Sequence, residues 1–351
     1  MNTKTIIKAI KGTINKNSAV PAVSGINFTG THLVVSDLET YVRIPYVTDF
    51  PFLVDAQNMI SVWDTLPYYK LSRDGDTLLF SEGSKKIKVN AWDVEDYPTM
   101  SETNYQESIV TLLENDVKLL SVAADFIGKD ELRPVMSFIA LEKGKMYATD
   151  AQVCMFHPIE SDMRDAGLYI SNKTRTLLQM WEGDWEVTIG GTRTIFKNDE
   201  GIVVDTQTMQ GRYPNVEAVI PKENPIELKF IVKEMQDVIK TGEKFASRSD
   251  SRMDIDIVRG KTNLSFSNED YGLSYEAELE LCSASDDFSI AFNTKLMNRI
   301  LKHVGNKAVF RMSEPNRPAV INDTFILMPL MKKKPVATEQ DEELETEESQ
   351  S

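Results

Sequence analysis

Lys4, Lys8 and Lys11 stand at i, i+4 and i+7 near the start of the chain, and Lys295, Arg299 and Lys302 repeat that spacing near its end. On a helix each triplet becomes one stripe, and neither stretch holds an acid that could neutralise it. Lys16 completes four lysines within the first sixteen residues. Lys240, Lys244 and Arg248 read as another stripe, and Lys173 with Arg175 open a helix in the middle of the chain. Exposed helix faces are often lysine-rich only for solubility, but such faces ordinarily mix Glu with Lys at i, i+4. Cations arranged without acids suit a polyanion with regularly spaced phosphates, bound without reading bases. An acidic protein surface is the alternative ligand.

Other residue types offer less chemistry. His32, His157 and His303 are far apart and lack a metal-ligand spacing, and there is no phosphate-binding loop, Gly-x-Ser-x-Gly or Cys-x-x-Cys. Asp37 and Asp150 could hold a divalent metal as in a nuclease, yet they occupy the same place in similar stretches, which favours a shared turn cap. Cys154 has His157 three residues away on an expected strand, where the two side chains point to opposite faces. "IGGTRT" reads as a hairpin turn. The residues point to a protein that is not an enzyme and needs no cofactor or metal.

The whole chain carries a formal charge of −15 over 351 residues, which argues against a simple nucleic-acid binder. Its distribution matters more. After Lys334 comes "PVATEQDEELETEESQS", with seven acids and no base, expected to be a disordered tail. Taking those seven charges from −15 leaves −8 for the remainder, an excess that can be segregated by face. Two cysteines, Cys154 and Cys282, make no disulfide framework. No run spans a bilayer and no signal-peptide core is present, so a soluble, cytoplasmic protein is expected.

Three stretches share one pattern of extended run, amphipathic helix and alternating strand: "FLVDAQNMISVWDTLPYYKLSRDGDTLLFSEG", "LYISNKTRTLLQMWEGDWEVTIGGTRTIFKND" and "IAFNTKLMNRILKHVGNKAVFRMSEPNRPAVI". Their starts, Phe52, Leu168 and Ile290, lie about 115 to 120 residues apart, a domain-sized period. Strand pairs around Asp37 and Asp150 recur on that period, with Asn268 as a looser third, and "DYPTM" and "RYPNVEAVIP" close two copies. Each copy also begins with a helical segment. The fold class is α+β: three repeated domains, each with two helices on antiparallel sheets, at 1–105, 106–224 and 225–331, with 332–351 as the tail.

"AVPAVSGINF", "YATDAQVCMF", "GRYPNVEAVIP", "FNTKLMNRIL" and the late "TFILMPLM", in this order over roughly residues 1 to 331, resemble the bacterial β sliding clamp, the processivity subunit of the replicative DNA polymerase. The resemblance implies a head-to-tail homodimer closed into a ring around double-stranded DNA. Lys4, Lys8, Lys11, Lys16, Lys173, Arg175, Lys240, Lys244, Lys295, Arg299 and Lys302 would face the phosphates. It further implies an interface in which Ile87 and Val89 of "KKIKVNAW" meet the partner subunit, with Phe245 a candidate opposite them.

It also implies a cleft for short motifs from the polymerase, the clamp loader and other clamp-binding proteins. The matching positions are Met136, Thr149, Ala151, Gln152, Val153, Cys154, Pro214 and Val219, then Asn293, Leu296, Pro318, Ile326, Met328, Pro329 and Leu330. Methionines would let such a pocket repack around different partners. The chain departs from the family pattern in two places. Ala151 to Cys154 replace the usual Gly-His-Arg-Leu, and residues continue past the Met-Pro element, as in a divergent or phage-encoded member.

Overall fold

The computed structural model describes residues 2–15, 17–98, 108–163, 166–279, 283–284 and 287–331. Six α-helices occur among them: α1 (Thr3–Thr13), α2 (Ala56–Thr65), α3 (Glu114–Ala123), α4 (Asn172–Leu178), α5 (Val232–Gly242) and α6 (Thr294–Leu301). Their local causes repeat. Strands Phe52–Asp55, Leu168–Ser171 and Phe288–Asn293 each end on a residue whose side chain caps the next helix. Asp55, Ser171 and Asn293 accept hydrogen bonds from backbone N–H groups in the first turns of α2, α4 and α6. The recurring stretches seen in the sequence are therefore one strand–cap–helix device used three times.

A second device recurs in the first two copies. Pro21–Ser24 and Pro134–Ser137 each form a 3-10 turn closed by a serine hydroxyl donating to the proline carbonyl at 2.7 Å. The "IGGTRT" stretch turns a hairpin between strands Trp185–Ile189 and Arg193–Asn198, with Gly190 N–H donating to the Arg193 carbonyl at 2.9 Å.

The chain forms two compact units. The first, Met1–Ala151 with Met155–Pro214, holds an eight-stranded sheet in the order Phe52–Asp55, Gly25–Phe28, His32–Ser36, Thr40–Pro45, Val203–Gln207, Arg193–Asn198, Trp185–Ile189 and Ser108–Leu112. The first two copies of the repeat thus share one sheet, joined where Val203 pairs with Arg43 and Thr206 with Thr40. In this unit α1 packs against α2 and α4, and α3 against α4. Alternation in the strands sends Ile26, Phe28, Leu33, Val35, Val42 and Ile44 into the core.

The second unit, Gln152–Cys154 with the residues from Asn215 onward, carries the third copy. Its strands Ile226–Ile231, Lys307–Met312, Ala319–Ile321 and Phe325–Leu327 pair in succession, with Ser283–Ala284 on the outer side of the first. A four-stranded sheet runs Leu273–Glu278, Lys261–Asn268, Arg252–Val258, Phe288–Asn293. Here α5 packs on α6, and Phe230, Phe292 and Phe310 meet edge to face or tilted in the core.

Candidate functional site

The side chains of α1 divide cleanly. Ile6, Ala9, Ile10 and Thr13 are buried, while Lys4, Lys8 and Lys11 are exposed. α1 has no acid along its length, and neither has its neighbour α4 nor, in the second unit, α6. On α6 Lys295 is exposed and Arg299 half-buried. Because Lys8 stands one turn from Lys4 and Lys11 about one further turn on, the α1 stripe is a row of lysines whose Cβ atoms are roughly 5–6 Å apart. Such a row can neutralise phosphates and has no means of telling bases apart.

Three expectations about these cations need correction. Lys173 is not a free phosphate contact: its ammonium pairs with the Asp37 carboxylate and donates to the Thr13 carbonyl at 3.1 Å. The pair neutralises the cation and satisfies the C-terminal end of α1. α5 ends at Gly242, so Lys240 lies on the helix but Lys244 and Arg248 lie beyond it, and no single stripe joins them. α6 ends at Leu301, which makes Lys302 its C-cap residue rather than part of the helix. Lys16 lies outside the described residues. Arg175 keeps its charge but is tied by neutral acceptors, Asn172 Oδ1 and Gln179 Oε1.

The two aspartate turns are built alike. Ser36 Oγ accepts from Leu38 N–H at 2.8 Å, and Thr149 Oγ1 accepts from Ala151 N–H at 3.0 Å. Leu38 and Ala151 both take positive φ, 80° and 76°. That is a glycine conformation, so Ala151 occupies under strain the place where the sliding-clamp pattern has glycine. Asp37 Oδ1 accepts from Glu39 and Thr40 N–H at 3.2 and 2.8 Å, and its other oxygen takes Lys173. A carboxylate so occupied is a turn cap. Among the described residues no cluster of three or more His, Cys, Asp or Glu could hold a metal. Cys154 is buried, and His157 Nδ1 lies 2.6 Å from the Pro158 carbonyl.

The residues of the expected cleft fall in both units. Within the second, Val219, Pro318 and Met328 line a pocket of about 690 Å3, with Ile220, Pro221 and Pro225 adding apolar wall and Lys222 and Arg317 cationic rim. Sequence reasoning found Pro318 but missed Pro221, Pro225 and Arg317, although "VIPKENP" and "EPNRP" are turn-rich runs that could have suggested a pocket wall. Val219 and Met328 are exposed, whereas Ile326 is 2% exposed and belongs to the core. Met328 N–H donates to the Gln152 carbonyl at 2.9 Å and Leu330 N–H to the Ala291 carbonyl at 2.8 Å. Arg252 Nη1 then holds the Met331 carbonyl at 2.8 Å, so the Met-Pro element is fixed by its own backbone. Val153 and Cys154 are buried and Gln152 is exposed. Asn293 is the α6 cap, with Leu296 half-buried behind it, and Pro329 and Leu330 are half-buried. In the first unit Met136 and Pro214 are half-buried, Thr149 is buried and Ala151 exposed.

No family model matches the chain, and no curated protein matches it. Solved structures do. A DNA polymerase sliding clamp from Pseudomonas aeruginosa is similar with a TM-score of 0.81 at 14% identity, covering 95% of this chain and 99% of that one. The sliding clamp of Bacillus subtilis gives 0.78 at 17% identity, over 94% and 97%. The DNA polymerase III beta subunit of Thermotoga maritima gives 0.75 at 21%, over 94% and 97%. This chain has the sliding-clamp fold. A fold kept at so little identity is carried by pattern, here the strand–cap–helix device and the alternating strands, rather than by particular side chains.

Among the sheet edges of the described residues, two are of opposite charge. Strand Lys85–Asn90 ends the three-stranded sheet of the first unit, with Lys85, Lys86 and Lys88 exposed. Ile87 is half-buried, but Val89 is 8% exposed and belongs to the unit's own interior, which corrects its assignment as a contact residue. In the second unit Leu273–Glu278 is an edge strand, with Glu276 and Glu278 exposed, Glu278 paired with Lys261 at 3.3 Å, and Phe245 stacked on Tyr275 of that strand at 5.5 Å. One edge is basic and the other acidic.

Proposed function

We propose that the chain is a DNA sliding clamp that encircles double-stranded DNA and tethers a replicative polymerase to it. The observation that carries this reading is the acid-free, exposed stripe of Lys4, Lys8 and Lys11 on a fold shared with polymerase clamps. The three domains are 1–105, 106–224 and 225–331, and DNA is held topologically through loose phosphate contacts, so that the clamp slides. The reading includes no catalysis and places the protein in the cytoplasm.

Two copies join head to tail, a heterologous contact that closes because the ring returns to its start. The basic Lys85–Asn90 edge of one copy pairs with the acidic Leu273–Glu278 edge of the next, Ile87 packing towards Phe245. The pocket of Val219, Pro318 and Met328 receives short hydrophobic motifs from the polymerase, the clamp loader and other clamp-binding proteins. The nuclease alternative loses its best ligand, since Asp37 is paired with Lys173.

Retention on nicked circular DNA tests the proposal. Wild-type protein loaded on the circle is expected to stay bound in high salt and to leave when the circle is linearised. Salt-sensitive release from intact circles, or cleavage of DNA with divalent metal, would reject the reading. A monomer by solution mass measurement would reject the ring.

A further inference from the structure

The first unit has another pocket, of about 660 Å3, at the seam where the first two copies share their sheet. Its floor is the sheet face opposite the core residues. In the strand register Asn27 stands opposite Val34, Val34 opposite Arg43, and Arg43 opposite Val203, a row across four strands. At the usual strand spacing that row is about 14 Å long. Val94, Tyr97 and Pro98 form a side wall, and Tyr41 and Asp205 pair in the neighbouring row.

Two buried polar atoms of this lining complete no hydrogen bond, Asn27 Oδ1 and Asp205 Oδ2, and the buried Tyr97 hydroxyl, whose oxygen has the Ser36 main chain as its neighbour and partner, has no acceptor for its own proton. Asp205 is 1% exposed and Tyr97 4%. The other Asp205 oxygen takes Arg193 Nε at 2.5 Å, and Arg193 lies over the Tyr41 ring at 5.3 Å. Burial pushes the Asp205 carboxyl above its ordinary range, against the pull of Arg193. Arg43, in the middle of the row, is exposed and has no ion pair among the described residues. Burial and then Arg43 hold His32 below its ordinary value, favouring the neutral ring. Arg43, Arg193 and Asp205 together leave one surplus positive charge.

Unpaired buried acceptors are costly, and a bare guanidinium fits a carboxylate in a fork. A free anion would serve Arg43 but leave the acceptors Asn27 Oδ1 and Asp205 Oδ2 unmet. An extended peptide serves both, because its main chain brings N–H donors at intervals and carbonyls for the Tyr97 hydroxyl. About four extended residues span the row. We propose that the seam pocket binds a short acidic peptide segment of a partner protein, its carboxylate on Arg43 and its main-chain N–H groups on Asn27 and Asp205.

The repeat supports this. The seam pocket combines the Tyr97-Pro98 element of the first copy with the last strand, Val203–Gln207, of the second. The pocket of the second unit combines Val219, which follows the Tyr213-Pro214 element, with Met328, which follows the last strand Phe325–Leu327. The seam pocket is its charged counterpart, and in naming peptides as the ligand class the inference rests in part on the reading of that apolar pocket.

The test uses full-length protein with labelled valine methyl groups and two blocked peptides, Ac-Val-Asp-Val-Thr-NH2 and its Asn counterpart. The methyl resonances of Val34, Val94 and Val203 are expected to move on titration, the Asp peptide binding at least tenfold more tightly than the Asn one. Arg43→Gln should abolish that preference while the protein keeps its melting temperature. Met328→Asp should leave it intact. Equal binding of the two peptides, an unchanged preference in Arg43→Gln, or no movement at the three valines, the result for a pocket that holds only water, would overturn the inference. Movement at Val219 instead would favour the apolar pocket and overturn the seam site. Failure of the ring in the nicked-circle assay leaves these valine readouts unaffected, so the two proposals fail separately.

Discussion

α1 and α3 open successive copies of the same repeat within one unit, bury one face each and treat charge in opposite ways. On α3, Glu114 pairs with Lys118 at 2.8 Å, and that hydrogen bond holds the lysine proton more tightly than usual. Asp116, 3% exposed, accepts from Ser161 N–H at 2.8 Å and from the Ser161 hydroxyl, fastening the helix start to a loop. Acids in a first turn also favour the helix dipole. α1 has none of this. Its first turn holds Lys4 and no acid, an arrangement that opposes the dipole, and its lysines have no carboxylate on the helix. The charge of α3 is closed within the protein, whereas that of α1 is left open to a ligand.

The largest effect should come from reversing the open charge. Lys4→Glu, Lys8→Glu and Lys11→Glu together are expected to abolish retention on nicked circles and polymerase run length, with circular dichroism unchanged because all three side chains are exposed. Unchanged run length in the triple variant would remove α1 from the DNA-facing surface. The matching experiment on α3 is Asp116→Ala. It leaves the Ser161 donors without an acceptor, for which about 2–3 kcal/mol of stability loss is expected in urea unfolding, with DNA retention unaltered. A DNA defect in that variant at temperatures where it is folded would erase the distinction between the two helices.

Much of this contrast is legible in the sequence. The α1 stripe needed only helical spacing and the absence of acids, and the repeat needed only period and pattern. The neutralisation of Lys173 did not announce itself, because its partner Asp37 is 136 residues away in sequence and meets it only through packing of α1 against α4. The seam was hidden for the same reason: Arg193 and Asp205 meet across a hairpin whose strand also pairs with the first copy. The need for glycine at the last position of α5 was hidden in a contact as well. A Cβ there would lie 2.4 Å from the Phe266 ring, a clash that only glycine avoids.

A milder change sharpens the contrast by making α1 resemble α3. Thr5 is the third residue of α1, and Asn2 is already its N-cap. Thr5→Glu would supply a capping-box carboxylate at the favoured position, add an acid to the first turn and stand one turn from Lys8. Stability is expected to rise by about 0.5 kcal/mol. DNA retention should weaken a few-fold at the same time, with the salt dependence shallower by about one unit. Opposite signs in one variant separate a surface tuned for a ligand from one tuned for the fold. A variant that is more stable and binds DNA as before would mean that the missing acids on α1 carry no functional meaning.

The smallest effect belongs to Lys118→Ala. The Lys118 side chain is 67% exposed, and its partner Glu114, 36% exposed, lies on the same helix and regains water when the lysine is removed. The melting temperature and DNA retention should both stay at wild-type values, in contrast to reversal of the α1 stripe, whose lysines have no carboxylate on their own helix. A clear loss of retention in Lys118→Ala would show that a lysine already paired on its own helix still serves the ligand. The division between closed and open charge would then fail as a guide to which helices face DNA.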